Sequence, residues 1–291
     1  MTKIFLLIAS LFIMEAASAQ YAYFGTRGKI AFDKVTYVRA RMRDMQQQMN
    51  RSGMQGSQGG RLGANLDNMP ESNTQRMTLF FDEDETLIQN EIVAIPSSSQ
   101  SSRNQGGNNR GGNRQVFGNA GSGMGGSMGM RGNGVNSQSK ILYQNLKKQI
   151  SEVQVEIDEK YIIEDTLDSI TWRFTDEYRN IAGYDCRRVN GATKDSLYIV
   201  AFYTDQIPVS AGPALSNGLP GMILGLIIPE MHIQYWATQV EFNNEPVPNN
   251  WKDKKSKEIT FDEFIKSFGR FFQRGRDTSG NKRQILEQLI Y

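Results

Sequence analysis

One cysteine, one histidine and thirteen methionines are the side chains of this 291-residue sequence whose chemistry stands out. A reactive thiolate needs a basic partner, and a Ser-His-Asp arrangement needs a histidine, so both chemistries would fall to His232. Cys186 lies in YDCRRV, a strand-like stretch that sends Arg187 and Arg188 to opposite faces, and nothing in the sequence brings His232 beside it. It reads as a buried, inert thiol. A hydrolase or peptidase would depend on His232 without any G-x-S-x-G segment, and no catalytic residue is assigned. A single histidine also cannot complete a His-rich zinc site. The consecutive carboxylates Asp82, Glu83, Asp84 and Glu85 read as a solvated turn, and the glycine-rich runs lack the strand–GxxxxGK[ST]–helix setting of a phosphate loop. Methionine is the exception. Met124, Met128 and Met130 sit in GMGGSMGMRG, and soft thioethers favour Cu(I). With Met231 and His232 as a second site, copper(I) handling is the alternative to a protein without cofactors.

The chain that must position these groups carries 33 Lys+Arg against 31 Asp+Glu, which gives no one-sided basic surface for nucleic acid. MTKIFLLIASLFIMEAASAQ has a positive start, an apolar core and a small-residue cleavage site at Ala17-Ser18-Ala19. It reads as a signal peptide over residues 1–19, too short to span a bilayer stably. No transmembrane segment is expected after its removal, and the product is expected to be exported. With a lone cysteine no intrachain disulfide is possible, so packing must hold the fold.

Residues 20–291 read as a single mainly-β domain with polar insertions at 50–75 and 96–139. The Ser/Gly/Asn/Gln composition of 96–139 cannot bury enough apolar surface to offset its ordering entropy. GKIAFDKVTYVR (28–39) alternates Ile30 and Phe32, then Val35 and Tyr37, with one slip near Asp33-Lys34 that a bulge would explain. Met42, Met45 and Met49 fall at helical spacing. MTLFFDEDETLIQNEIVAI predicts a hairpin turning at Asp82–Glu85. ILYQNL, VQVEI, KYIIED, SITWRF, the segment from Tyr184 to Val189, Leu197 to Thr204 and Ile233 to Phe242 follow at the spacing of an all-β sheet. In the last of these Tyr235 and Ala237 are expected opposite Trp236 and Val240. Thr260 with Glu263 forms a capping box, Phe261, Phe264, Ile265, Phe268, Phe271 and Phe272 then keep one helical face that Gly275 can close, and Lys282 to Ile290 reads as another helix. This helical segment spans 260–290.

NGLPGMILGLIIPE, the most apolar run after the leader, is cut by Gly218, Pro220, Gly221, Gly225 and Pro229. Gly218-Leu219-Pro220-Gly221 predicts a type II-like turn feeding a buried strand from Met222 to Ile228. With ITWRFTDEYRNIAGYDCRRV, YIVAFYTDQIPVSAGPA and YWATQVEF in order around it, the chain resembles the GLPGLI family of exported Bacteroidota proteins. Trp172, Gly183, Tyr184, Cys186, Ile207, Pro208, Gly212, Pro213 and Gly218–Gly221 occupy the family's pattern, while Met222-Ile223 departs from Leu-Ile. The resemblance implies an exported, mainly β envelope protein and no particular reaction. The expected fold is a single curved, half-barrel-like antiparallel sheet with a C-terminal helix packed on it. The expected role is non-enzymatic binding of a lipid-like ligand or an envelope protein partner, in the periplasm or on the periplasmic face of the outer membrane. Gly218, Leu219, Pro220, Gly221, Met222, Tyr184 and Trp172 are the candidate binding residues.

Overall fold

A computed structural model describes residues 25–51, 69–91, 140–268, 285 and 289–291. The leader, most of both polar insertions, Met124, Met128, Met130, Phe271, Phe272 and Gly275 lie outside the described residues.

The alternating segments form twelve strands: β1 Gly28–Thr36, β2 Asn73–Phe81, β3 Glu85–Asn90, β4 Ile141–Asn145, β5 Ile150–Glu156, β6 Lys160–Thr166, β7 Thr171–Ile181, β8 Tyr184–Ala192, β9 Tyr198–Thr204, β10 Met222–Ile228, β11 Ile233–Phe242 and β12 Lys257–Thr260. Helix α1, Val38–Arg51, follows β1, and α2, Phe261–Phe268, follows β12. All the strands join one sheet in the order β12-β6-β5-β4-β3-β2-β1-β11-β10-β9-β8-β7. Every pairing is antiparallel except β12 on β6, which is parallel, so the sheet is mixed at this edge.

Local chemistry explains the hairpins. Asp82 Oδ1 accepts the Asp84 and Glu85 amides at 3.0 and 2.8 Å, an Asx turn that reverses β2 into β3. Ala182 and Gly183, at φ 51° and 89°, make the two-residue turn whose twist suits the β7–β8 hairpin. At α2 the capping box closes reciprocally: the Thr260 amide donates to Glu263 Oε2 at 3.0 Å and the Glu263 amide to Thr260 Oγ1 at 3.3 Å. Phe261 and Phe264 turn inward, and Phe268 meets the Tyr161 ring edge-on at 5.0 Å, which seats α2 on the β6 end of the sheet.

Two expectations about strand faces are corrected. β1 carries no bulge of its own: Ile30, Phe32 and Lys34 follow one face in unbroken alternation, paired with Leu79, Met77 and Gln75 of β2. The hydrophobic pattern slips at Asp33-Lys34 because a lysine occupies an inward position. The register shift lies across the ladder in β11, where Phe32 pairs with Ala237 but Ala31 with Gln239. The extra residue, Thr238, moves Val240 onto the face of Tyr235 and Ala237, leaving Trp236 opposite.

The sheet is open but strongly curled. β5 and β9 stand seven places apart in strand order, which would separate them by roughly 34 Å in a flat sheet. Yet Val153 of β5 and Ile199 of β9 line one cavity of about 60 Å³. The concave face collects the main core, including Ile30, Phe32, Leu79, Ile88, Leu142, Val153, Ile163, Val189, Leu226 and Tyr235. The outer face has two smaller coverings. Trp251 stacks on Tyr143 at 5.2 Å and, with Val247, shields Leu87. Arg179 near the β7–β8 tip lies over the Trp236 ring at 4.3 Å, which in turn fills the space above Gly225.

Candidate functional site

The concave side is filled by the chain itself, chiefly by the β9–β10 connection that contains the GLPG segment. This connection doubles back through an isolated bridge between Ala211 and Asn217. Its ends are tied to β10, where the Met222 amide donates to the Ile207 carbonyl at 3.0 Å and the Ile223 amide to the Ala211 carbonyl at 2.8 Å. A buried 3-10 turn, Pro213–Leu215, carries Ala214 and Leu215 at positive φ (55° and 58°) and places Ala214 against Leu142, Met77 and Ile88 on the far strands. Such left-handed positions in non-glycine residues hold only where surrounding packing determines them.

Gly218 sits at φ +85°, and Trp172 Nε1 donates to the neighbouring Asn217 carbonyl at 3.0 Å. A side chain on Gly221 would come within 2.1 Å of the Thr204 carbonyl oxygen. Leu219 and Met222 are core residues, 2% and 0% exposed, and Pro220 is exposed. The structure thus brings Gly218, Leu219, Pro220, Gly221, Met222 and Trp172 into one unit that turns and anchors the filling loop. Tyr184 is not part of it: it pairs with Ile181, while Trp172 lies nine residues back along β7, roughly 30 Å for extended chain.

The reactive groups are dispersed. Cys186 is fully buried on the outer face, and burial, with Asp185 nearby, pushes its thiol up to about 12. Its sulfur lies 3.5 Å from the Tyr184 carbonyl oxygen. His232, in a left-handed position after the Pro229–Met231 turn, bonds through Nε2 to Asp44 Oδ2 of α1 at 2.8 Å. Among the described residues no hydroxyl or thiol is bonded to that ring, and no three His, Cys, Asp or Glu side chains gather as a metal cluster. Met231 is buried beside His232 in sequence but belongs to the core.

Among the described residues, two cavities lie inside the curl. The first, about 60 Å³, lies between the two arms of the sheet: Val153, Ile163 and Ile199 wall it together with Asp165 and Asp168, Leu215 bounds it from the loop, and Leu289 and Ile290 complete the lining. The second, about 20 Å³, is lined by Lys34, Gln75, Asn90, Lys140, Leu142 and Tyr235, with Met77, Ile88, Ala214 and Ile290. Ala214 and Ile290 border both, so the Ile290 side chain stands between them. Leu289 is 1% exposed and packs in the main core.

The second cavity is polar and cationic. Lys34 donates to the main-chain oxygen of Tyr291. Lys140 is 9% exposed, and among the described residues its ammonium has no carboxylate partner. Burial lowers Lys140 to about 7, aided by repulsion from Lys34; burial lowers Lys34 to about 8, aided by Arg41. Sequence reasoning passed over these two lysines and Leu289–Tyr291. The only signal was the broken alternation at Lys34, and nothing local marked Lys140.

Fold and interior together define a mainly β protein: an open, curled sheet packed around its own loop, with a small divided cavity. A family model described as "Protein of unknown function (Porph_ging)" matches residues 189–225, from within β8 through the loop into β10, and this match is consistent with the GLPGLI-type expectation. Two solved structures are similar to this chain, "Structure of PNGF-II in C2 space group" and "Structure of PNGF-II in P21 space group". They share 13% and 12% identity at TM-scores of 0.47 and 0.48, over 84% and 85% of this chain and 33% and 34% of theirs. The chain therefore spans about a third of their length. No curated protein matches the chain.

Proposed function

We propose that this chain is a non-enzymatic, exported protein of the cell envelope whose curled sheet takes an apolar ligand into its interior. One observation carries the reading. The cavity between the arms of the sheet is lined mainly by apolar residues, with Ser151, Asp165, Thr166 and Asp168 also on its wall, and the short segment Leu289–Tyr291 forms part of that lining. A volume of about 60 Å³ is far below the roughly 300–1,000 Å³ of ordinary ligand pockets, so a ligand must take the place of that segment.

The non-enzymatic part of the reading is supported by the dispersal of Cys186 and His232 and by the inert environment of the thiol. Export and an envelope location are supported by the N-terminal leader pattern and by the family resemblance. Among the described residues no helix is long and apolar enough to cross a membrane.

Native mass spectrometry of the protein isolated from the envelope fraction of its own cells tests the proposal. The expected result is a population carrying a small apolar molecule that organic extraction removes. Bare protein mass alone, together with no binding of a hydrophobic fluorescent dye, overturns it.

A further inference from the structure

Resting on that reading, we infer that the ligand is an amphiphile with an anionic head: its chain lies along the apolar cavity and its head at Lys34 and Lys140. Register and lining carry the inference. Lys34 faces inward between Gln75 of β2 and Tyr235 of β11, with which it pairs directly. Lys140 precedes β4 on the face of Leu142, and Asn90 stands on the same face of β3, paired with Met77. These five groups form one end of the concave face, and its lining includes two lysines and no carboxylate. A buried ammonium without a counter-ion is costly, and an arriving anion relieves that cost. Tyr235 supplies a hydroxyl donor and Gln75 an amide donor beside it.

The apolar half lies one side chain away. Ile290 borders both the cationic end and the cavity walled by Val153, Ile163 and Ile199. Its withdrawal would join the two into one space with a mainly apolar body, which Asp165 and Asp168 also border, and a positive end. Leu289–Tyr291 already shows the pattern such a ligand would follow. Leu289 and Ile290 fill the apolar side, and a main-chain oxygen of Tyr291 accepts from Lys34. The low lysine values fit this arrangement, since burial is the main cause at both and a neighbouring positive charge adds to it, Lys34 at Lys140 and Arg41 at Lys34.

Isothermal titration of the full chain with laurate and with dodecan-1-ol, which share the same alkyl length, tests the inference, with acetate as the headgroup-only control. The expected result is laurate binding at least about tenfold tighter than the alcohol, with no detectable acetate binding. Lys34→Met/Lys140→Met should bring laurate affinity down to that of the alcohol. Deleting residues 289–291 should tighten both alkyl ligands about tenfold. Equal affinity of wild type for laurate and alcohol overturns the assignment of the head while leaving the apolar interior standing. Acetate binding as tightly as laurate would make the site an anion site alone and also overturns it. Failure of both alkyl ligands, even with the deletion variant, removes the apolar-ligand proposal itself. The comparison within wild type needs no variant to fold.

Discussion

Replacing Lys140 with methionine should stabilise this protein, and by an amount that depends on pH. Lys140 is 9% exposed, and burial, with Lys34 close by, lowers it from 10.5 to about 7. A base whose folded value lies below its unfolded value binds fewer protons folded than unfolded throughout the interval between them. Stability therefore rises with pH from about 7 to about 10.5, and the full penalty applies below about 7. The difference between the two values is 10.5 − 7, and at about 1.4 kcal/mol per pKa unit the ceiling is about 5 kcal/mol. Side-chain relaxation and water entry reduce such a penalty, so about 2–3 kcal/mol is the expected gain at pH 6. Methionine keeps a long flexible stem and fills the same space without a charge. Urea denaturation of wild type and Lys140→Met at pH 6, 7, 8 and 9 gives the difference directly, provided the slopes agree. The gap should be widest at pH 6 and shrink steadily toward pH 9. A gap that does not change with pH, or a variant less stable than wild type at pH 6, refutes the assignment of a buried, uncompensated charge.

Gly221→Ala should lose at least about 2 kcal/mol, because the new methyl would sit 2.1 Å from the Thr204 carbonyl oxygen and backbone must move; thermal melts measure it, and a neutral result would mean that the loop is loosely held. Cys186 should resist a thiol reagent at pH 8 in the folded protein and react at once in urea, since it is fully buried with its thiol pushed up to about 12; rapid native reaction would contradict the packing of the outer face. Gln144 lies fully buried, and among the described residues neither amide atom has a hydrogen-bond partner, so Gln144→Leu should gain about 1–3 kcal/mol in chemical denaturation, with a loss pointing to a bound polar partner instead. Thr260→Ala should cost about 1 kcal/mol by opening the reciprocal cap of α2, read as a lower melting temperature.

Much of the fold was legible because it is local. The alternation in Ile30–Phe32 and Leu79–Phe81, the acidic turn at Asp82–Glu85 and the Thr260–Glu263 box each depend on residues within a few positions of one another. The buried strand after the signature was legible for the same reason, and Leu219 and Met222 are core residues, but the expected turn was not formed as read: the positive φ falls on Gly218 at its start and not on Gly221. The faces of β11 were not, because the extra residue Thr238 is defined only by its mismatch with β1. The inward Lys34 looked like a slip in pattern, since alternation alone cannot distinguish a bulge from a charged side chain on the core face.

What the sequence by itself determined is most of the elements, namely period-2 strands, turn chemistry and one capped helix, all arising from interactions between chain neighbours; the edge strand β12 was not among them. The tertiary structure alone decided how far the sheet curls, so that Val153 and Ile199 share a cavity across seven strand positions. It also decided that Tyr291 meets Lys34 across 257 residues of chain and that Ile290 separates an oily cavity from a cationic one. The physical reason is that such contacts depend on the summed twist and register of many strands, which no short window of residues contains.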